Sequence, residues 1–360
     1  MKLKFRRLDL QLVDPWTIAR ARGTTSIAVV DVELTGGDGF IGLGEASPAA
    51  RYNESVEKVE AFLAKLDANR LCVNDIDSNI SYLRAISPGS MAAKCAIDVA
   101  LIDAAAKRAK QPVYDFLGLG FRDQHHVTSF TIGIDTPEVI RRKVLAAAQY
   151  PILKMKVGVP EDKANLRALR DVAPSKVVRV DANEGWATKE QALAMIEWLA
   201  TDGRIQFVEQ PMPASVLAKD WVWLKQRSPL PIFADESYHL AEDAERVAGC
   251  FHGVNVKLVK AGGITPAVEA LRAARKLGLQ TMLGCMIETS LLTSAAAHLA
   301  ELCDYLDLDG NLLIKNNNPY AGVTADKGIL SFTHAPERYG LRASAEGNSP
   351  VRTPRLLVSG

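Results

Sequence analysis

Eight ionisable residues recur between positions 154 and 309, and their types are those that move protons and hold cations. Lys154 and Lys156 flank Met155. Asp181, Glu209, Asp235 and Lys257 follow at separations of 22 to 28 residues, and Asp307 and Asp309 flank Leu308. Three carboxylates drawn together are costly unless a cation neutralises them. Oxygen ligands without His or Cys favour Mg²⁺ over zinc. A lysine at its ordinary pKa of ~10.4 is a poor base at neutral pH. A nearby cation, Lys154 or Mg²⁺, would lower it toward the ~7–8 useful for general-base work. Taken singly, an acid at a strand end also caps a helix, and a lysine also pairs with such an acid at a surface.

These residues need elements that bring them together. Residues 127–134, 152–157, 177–181, 205–209, 231–235, 253–258, 281–284 and 305–309 are short apolar runs separated by amphipathic helical patterns. Strict alternation of strand and helix implies a parallel sheet. Eight units are the count that closes a barrel, and catalytic groups then sit at the carboxyl ends of its strands. Each charged residue falls at such an end. Lys154 and Lys156 share a face, as do Asp307 and Asp309. Lys156 on strand two and Lys257 on strand six face each other across the mouth. A doubly wound open sheet is the other possibility, but no GxGxxG follows the first strand.

The N-terminal part has another rhythm. Leu3 to Val13 alternates, and Ser26–Leu34 and Phe40–Glu45 flank the turn cluster Gly36-Gly37-Asp38-Gly39, which predicts a hairpin. Helical patterns follow at 55–68 and at 91–110, the latter Ala-rich and stopped by Pro112. This predicts an α+β unit over 1–120, a barrel over 121–324 and a tail, 325–360, that contains a β run at 328–332 and returns to the N-terminal unit.

Composition sets the bounds. The chain has 360 residues, 48% hydrophobic and 24% charged, with 43 Lys plus Arg against 42 Asp plus Glu. A net charge of +1 argues against a nucleic-acid partner held by counterion release. No run approaches the ~20 apolar residues of a membrane span, and MKLKFRRLDLQLVD reads as a strand, not a secretory signal. Five scattered cysteines without a CxxC pair fit a reducing cytoplasm.

The runs KMKVG (154–158), DANEGW (181–186), VEQP (208–211), ADES (234–237) and NVKLVKAGG (255–263), with GLGEASP at 42–48 and the Ala-rich helix, resemble the enolase superfamily, muconate-lactonizing subgroup. The resemblance covers essentially the whole chain. It implies a (β/α)7β modified TIM barrel, class α/β, with an N-terminal α+β capping domain. It also implies Mg²⁺ held by Asp181, Glu209 and Asp235, and bases at Lys156 and Lys257. The shared step of that family is removal of a proton next to a carboxylate, giving an enolate. With a lysine on each face, one takes the α-proton and the other returns a proton from the opposite side. The dehydratase branches place a His at the sixth or seventh strand end. Here Lys257 stands on the sixth strand and His252 precedes it.

LDLDG at 306–310 resembles the DxD signature of the dipeptide epimerases, whose two acids hold the substrate's α-ammonium. LGCMIETS (283–290), PWTIARARG (15–23) and ARYNES (50–55) resemble the same group. The resemblance implies epimerisation at the C-terminal residue of a small dipeptide, L-Ala-D/L-Glu being the one expected. Arg20, or less directly Arg22 or Arg51, would meet a glutamate side chain. An Arg-Gly pair at 22–23 is extra relative to some members. Thr131 is a candidate polar contact and Met286 a candidate wall. Homo-oligomers are common in the family. N-succinylamino-acid racemisation or o-succinylbenzoate synthesis is the alternative within it. A Schiff-base lysine enzyme and a binding protein that has lost turnover are the alternatives outside it.

The remaining candidates carry less. His125 and His126 read as solvated linker residues and His298 as a satisfied helix histidine. His239 is close enough to Asp235 to be near the mouth. Cys285 reads as an unreactive lining residue, and Trp16 as a wall of the capping loop.

Overall fold

The N-terminal alternation folds into three antiparallel strands, Lys2–Ile18, Ala21–Thr35 and Ile41–Ala46, paired in that order. The structure is a computed structural model, and it describes residues 1–315 and 318–345. Leu34 pairs with Gly42 and Val32 with Gly44 across the second and third strands. Helix Met91–Arg108 lies over this sheet. Its small residues Ala92, Ala96 and Ala100, each four apart, let the backbones meet. A Cβ on Gly44 would stand 1.9 Å from the Ala96 carbonyl oxygen, and one on Gly42 1.9 Å from that of Ala100. Neither oxygen is at the end of a flexible side chain, so the helix itself would have to move. Gly44→Ala is therefore expected to cost about 1–3 kcal/mol, read as a lower urea midpoint at unchanged slope. An unchanged midpoint would show that this contact is slack.

The second architecture is a parallel sheet of eight strands in sequential order: Phe130–Ile132, Ile152–Lys156, Val177–Asp181, Ile205–Glu209, Ile232–Ala234, Gly253–Lys257, Gln280–Gly284 and Tyr305–Asp307. Each of the seven connections contains a helix. The bridge Thr128–Leu306 brings the first strand to the last, and Ser129 N–H donates to the Leu306 carbonyl at 3.2 Å. The sheet is thus a nearly closed (β/α)7β barrel.

The first strand is shorter than the 127–134 run predicts. His126–Val127 pairs with Ile329–Ser331 in a separate antiparallel sheet, and Phe130–Ile132 enters the barrel. Thr128 and Ser129 lie between them, both buried. The Thr128 hydroxyl accepts from Leu308 N–H at 2.7 Å, and Ser129 bonds the eighth strand. Buried hydroxyls that need partners break the ladder at this point.

Alternation along the strands places a second side chain below each charged one. Arg179 lies below Asp181, Phe207 below Glu209, Phe233 below Asp235 and Tyr305 below Asp307. Phe207 and Phe233 stack at 4.2 Å, and the Arg179 guanidinium lies over the rings of Phe207 and Tyr305. This floor closes the barrel beneath the mouth.

The two parts are joined by buried polar contacts. The Glu45 carboxylate accepts from the Thr289 N–H at 3.0 Å and from the Thr289 hydroxyl. Ser47 donates to the Ile287 carbonyl at 3.0 Å, and Asp98 accepts from Thr265 N–H at 3.0 Å. Burial pushes Glu45 up to about 8 and Asp98 to about 6. After residue 319 the chain runs back over helix Met91–Arg108, where Asp103 accepts from Leu341 N–H at 2.8 Å. Tyr320 donates to Asp31 of the N-terminal sheet at 2.9 Å. Residues 346–360 of the predicted tail lie outside the described residues. Among the described residues, no helix is long and apolar enough to cross a membrane.

Candidate active site

Asp181, Glu209 and Asp235 end or follow barrel strands three, four and five. All are buried, and one carboxylate oxygen from each lies within 4.8 Å of the others. Among the described residues this is the group of acids or imidazoles close enough to share a metal ion. The oxygen donor set and the absence of His or Cys from it fit Mg²⁺.

Four lysines surround the triad. Lys154 Nζ lies 2.7 Å from Glu209 Oε2, 2.7 Å from Asp307 Oδ2 and 3.1 Å from Asp181 Oδ2. Lys156 Nζ is 2.6 Å from Asp181 Oδ2. Lys257 Nζ is 2.9 Å from Asp235 Oδ2. Strands two and six lie on opposite sides of the barrel, so Lys156 and Lys257 approach the mouth from opposite walls. Lys260, in the turn after strand six, is 2.5 Å from Asp235 Oδ1.

The charges set one another. Burial raises Asp181 and Asp235, but the lysines outweigh it and both carboxyls end below their usual range. Glu209 is pushed up to about 7 by burial and by Asp181, against Lys154. Burial alone would lower Lys154 and Lys257. The facing acids overcome it and both are raised. Lys154 does act on Lys257 as a neighbouring cation that lowers it, and the facing acids outweigh that pull. Its ammonium is committed to three carboxylates, and Lys257 moves upward because Asp235 and Glu209 face it.

The acids of the eighth strand have unequal surroundings. Asp307 accepts from Lys154 and from the Ser129 hydroxyl at 2.7 Å, and Lys154 outweighs burial to hold it low. Asp309 accepts from Thr131 N–H at 2.6 Å and, among the described residues, has no lysine within ion-pair distance; burial and Asp307 push it up to about 6. Thr131 joins the site through its backbone.

Arg20 does reach the mouth, but its guanidinium meets Glu236 at 2.7 Å and donates to the Asn183 carbonyl at 3.0 Å. Arg51 is held by both oxygens of Glu184, at 2.5 and 2.6 Å. Arg20 and Arg51 therefore close onto barrel acids, whereas Arg22 is exposed. Trp16 stands above Lys156, with Nζ 5.9 Å from the ring centroid. A cavity of about 360 Å³ opens between cap and barrel, lined by Ser47, Arg51, Tyr52, His239 and Met286 among others. His239 sits edge-on to Tyr52, and burial lowers it to about 4.

Some residues differ from their sequence reading. His126 is buried and bonds Glu301 at 2.9 Å; the aromatic ring of Phe121 packs on it, which a linker position does not reveal. His298 is buried, with Nδ1 accepting from Tyr114 N–H at 3.2 Å and the ring stacked on Phe332. Asn255, Lys260, Glu236 and Glu184 were not singled out by spacing. Asn255 shares the inward face of Lys257, so alternation could have found it. Lys260 sits in a helical turn, outside the two-residue period.

A parallel barrel that gathers acids and lysines at one mouth beneath an α+β cap has the architecture of a capped-barrel enzyme. The chain belongs to the enolase superfamily. Residues 139–316 match the enolase C-terminal domain-like family, and residues 5–118 match the mandelate racemase / muconate lactonizing enzyme N-terminal domain. The L-Ala-D/L-amino acid epimerase of Pedosphaera parvula is 61% identical, over 96% of this chain and 100% of its own length. The dipeptide epimerase of Enterococcus faecalis, solved with Mg and L-Leu-L-Tyr, has a TM-score of 0.86 at 30% identity, covering 95% of this chain and 98% of that one. The N-succinyl Arg/Lys racemase of Bacillus cereus has a TM-score of 0.88 at 25% identity, covering 97% of each. The protein is an enzyme whose relatives are named epimerases and racemases.

Proposed function

We propose that this protein is a Mg²⁺-dependent dipeptide epimerase that inverts the α-carbon of the C-terminal residue. The observation that carries this reading is the acid triad set between lysines on opposite walls, with an acid pair on the eighth strand. Asp181, Glu209 and Asp235 would hold the ion. Bound there, it supplies positive charge beside the substrate carboxylate, which eases loss of the adjacent proton. Lys156 and Lys257 reach the two faces of the α-carbon. The neutral amine on one face takes the proton, and the ammonium on the other donates one to the carbanion, so the net charge is unchanged. Asp307 and Asp309 accept hydrogen bonds from the substrate's α-ammonium, with Asp309 supplying charge that no lysine neutralises.

A dipeptide with a free α-ammonium is the proposed class, and its relative from Pedosphaera parvula supports a range of C-terminal residues. L-Ala-D/L-Glu remains within it. A glutamate side chain would compete with Glu236 for the Arg20 guanidinium.

The test is proton exchange in deuterated water. With Mg²⁺ present, L-Ala-L-Glu or another L-Ala dipeptide should gain deuterium at the α-carbon of its second residue. N-succinyl amino acids serve as the comparison. Asp309→Asn should lower kcat/KM for a dipeptide about ten-fold or more, the scale of a charge-assisted hydrogen bond. A succinyl-substrate enzyme would be indifferent to that change. Exchange with succinyl compounds and with no dipeptide would defeat the proposal.

A further inference from the structure

The three acids of the triad share a pattern. One oxygen of each is held by a donor with little freedom. Asp181 Oδ1 accepts from Asn183 N–H at 2.9 Å, and Glu209 Oε1 accepts from the Asn255 amide at 2.7 Å. Asp235 Oδ1 accepts from Lys260 at 2.5 Å. The other oxygen of each faces the ends of long lysine stems: Lys154 and Lys156 at Asp181, Lys154 at Glu209, and Lys257 at Asp235.

Lys260 differs from the other three lysines in how it is anchored. Its Nζ also lies 2.5 Å from the Asp235 carbonyl, 3.0 Å from the Asn255 carbonyl and 3.1 Å from the Tyr238 carbonyl. Four acceptors surround a group that carries three N–H bonds when protonated. Three of them are backbone oxygens, from the end of strand five, the loop after it and strand six. The side chain is buried, and its Cα belongs to a short helical turn ending at Gly262. It binds the backbone and the carboxylate of Asp235 together, which fixes the direction of that side chain. Lys257, by contrast, has Asp235 as its one hydrogen-bond partner among the described residues.

We propose that Lys260 is a positioning residue that reserves Asp235 Oδ1 for itself, and so presents Oδ2 as the oxygen that ligates the metal. The proposal rests on the metal-dependent reading above. It gives Lys260 and Lys257, three residues apart on the same carboxylate, separate tasks. Lys260 holds the ligand still. Lys257 gives way when a cation arrives, and is then available to the substrate. Partners behind a metal ligand set its orientation and typically change affinity about 10–100-fold when removed.

Two experiments decide this. The first uses the unaltered protein, so it does not depend on a variant folding: a crystal structure with Mg²⁺. The expected result is Asp235 Oδ2 on the ion, Oδ1 still bonded to Lys260, and Lys257 released. An ion ligated through Oδ1, or Lys260 displaced, overturns the proposal. No ion at the triad at all would instead defeat the metal-dependent reading. The second measures Mn²⁺ binding to Lys260→Met by calorimetry and by the electron-spin signal of free Mn²⁺. The expected loss of affinity is about ten-fold or more, with kcat recovering as Mn²⁺ saturates. A folded variant with lower thermal stability but unchanged Mn²⁺ affinity would reduce Lys260 to a structural role.

Discussion

Lys257→Met should lower epimerisation by about a thousand-fold or more while leaving proton exchange into one epimer measurable. General acid–base groups contribute about 10²–10⁴ each, and Lys260, the other lysine beside strand six, stays committed to Asp235 and backbone carbonyls. Methionine keeps the stem's volume. Asp235 stays partnered by Lys260, so the fold should survive. The asymmetry is the informative part. Lys156 still stands on the opposite wall, held 2.6 Å from Asp181. It should wash deuterium into the epimer whose α-proton points toward it and not into the other. Lys156→Met should show the mirror image. Both epimers are incubated separately in deuterated water and followed by proton NMR. Equal exchange of both epimers in either variant would mean a single base serves both faces, and would overturn the two-lysine reading.

Stripping the metal is the second large effect. EDTA should reduce turnover at least about a hundred-fold, the scale of losing one well-placed stabiliser of developing negative charge, and Mg²⁺ should restore it. The chain should nonetheless remain folded. Each carboxylate of the triad has a lysine within 2.5–3.1 Å, so the buried negative charge is already opposed. Stability should instead rise with added Mg²⁺, by about 2.7 kcal/mol at a hundred times its dissociation constant. Thermal melts across a Mg²⁺ titration measure this. Turnover that survives exhaustive chelation would end the metal-dependent reading and favour a Schiff-base lysine, detectable by borohydride trapping.

The barrel and the triad were legible because both follow a period. Strand–helix alternation shows the eight units, and the acids fall at strand ends, where main-chain direction alone brings them to one mouth. Partnerships between distant segments have no such period. Arg20 and Glu236 are 216 residues apart, and nothing in either run says that they pair at 2.7 Å. Arg20 read alone therefore pointed to substrate. The three acid partners of Lys154 come from strands three, four and eight, so no local run shows them together. The first strand was read too long because Thr128 and Ser129 continue an extended pattern. Only their bonds to the eighth strand, Thr128 accepting from Leu308 N–H and Ser129 donating to Asp307, show why the ladder breaks there.

Helix Met91–Arg108 presses Ala96 and Ala100 against the glycines of the N-terminal sheet. From its Asp98 it also reaches the start of helix Ile264–Lys276, where a Cβ on Gly263 would stand 2.3 Å from the Asp98 carboxylate. Its two sides are fitted to two partners that are remote in sequence. For an engineer exchanging capping domains to alter substrate choice, the natural seam is therefore not the chain position between cap and barrel. A transplanted cap must bring a helix whose outer side matches Gly263 and Thr265 of the recipient. Exchanging the 15–23 and 50–55 loops alone leaves that fit untouched.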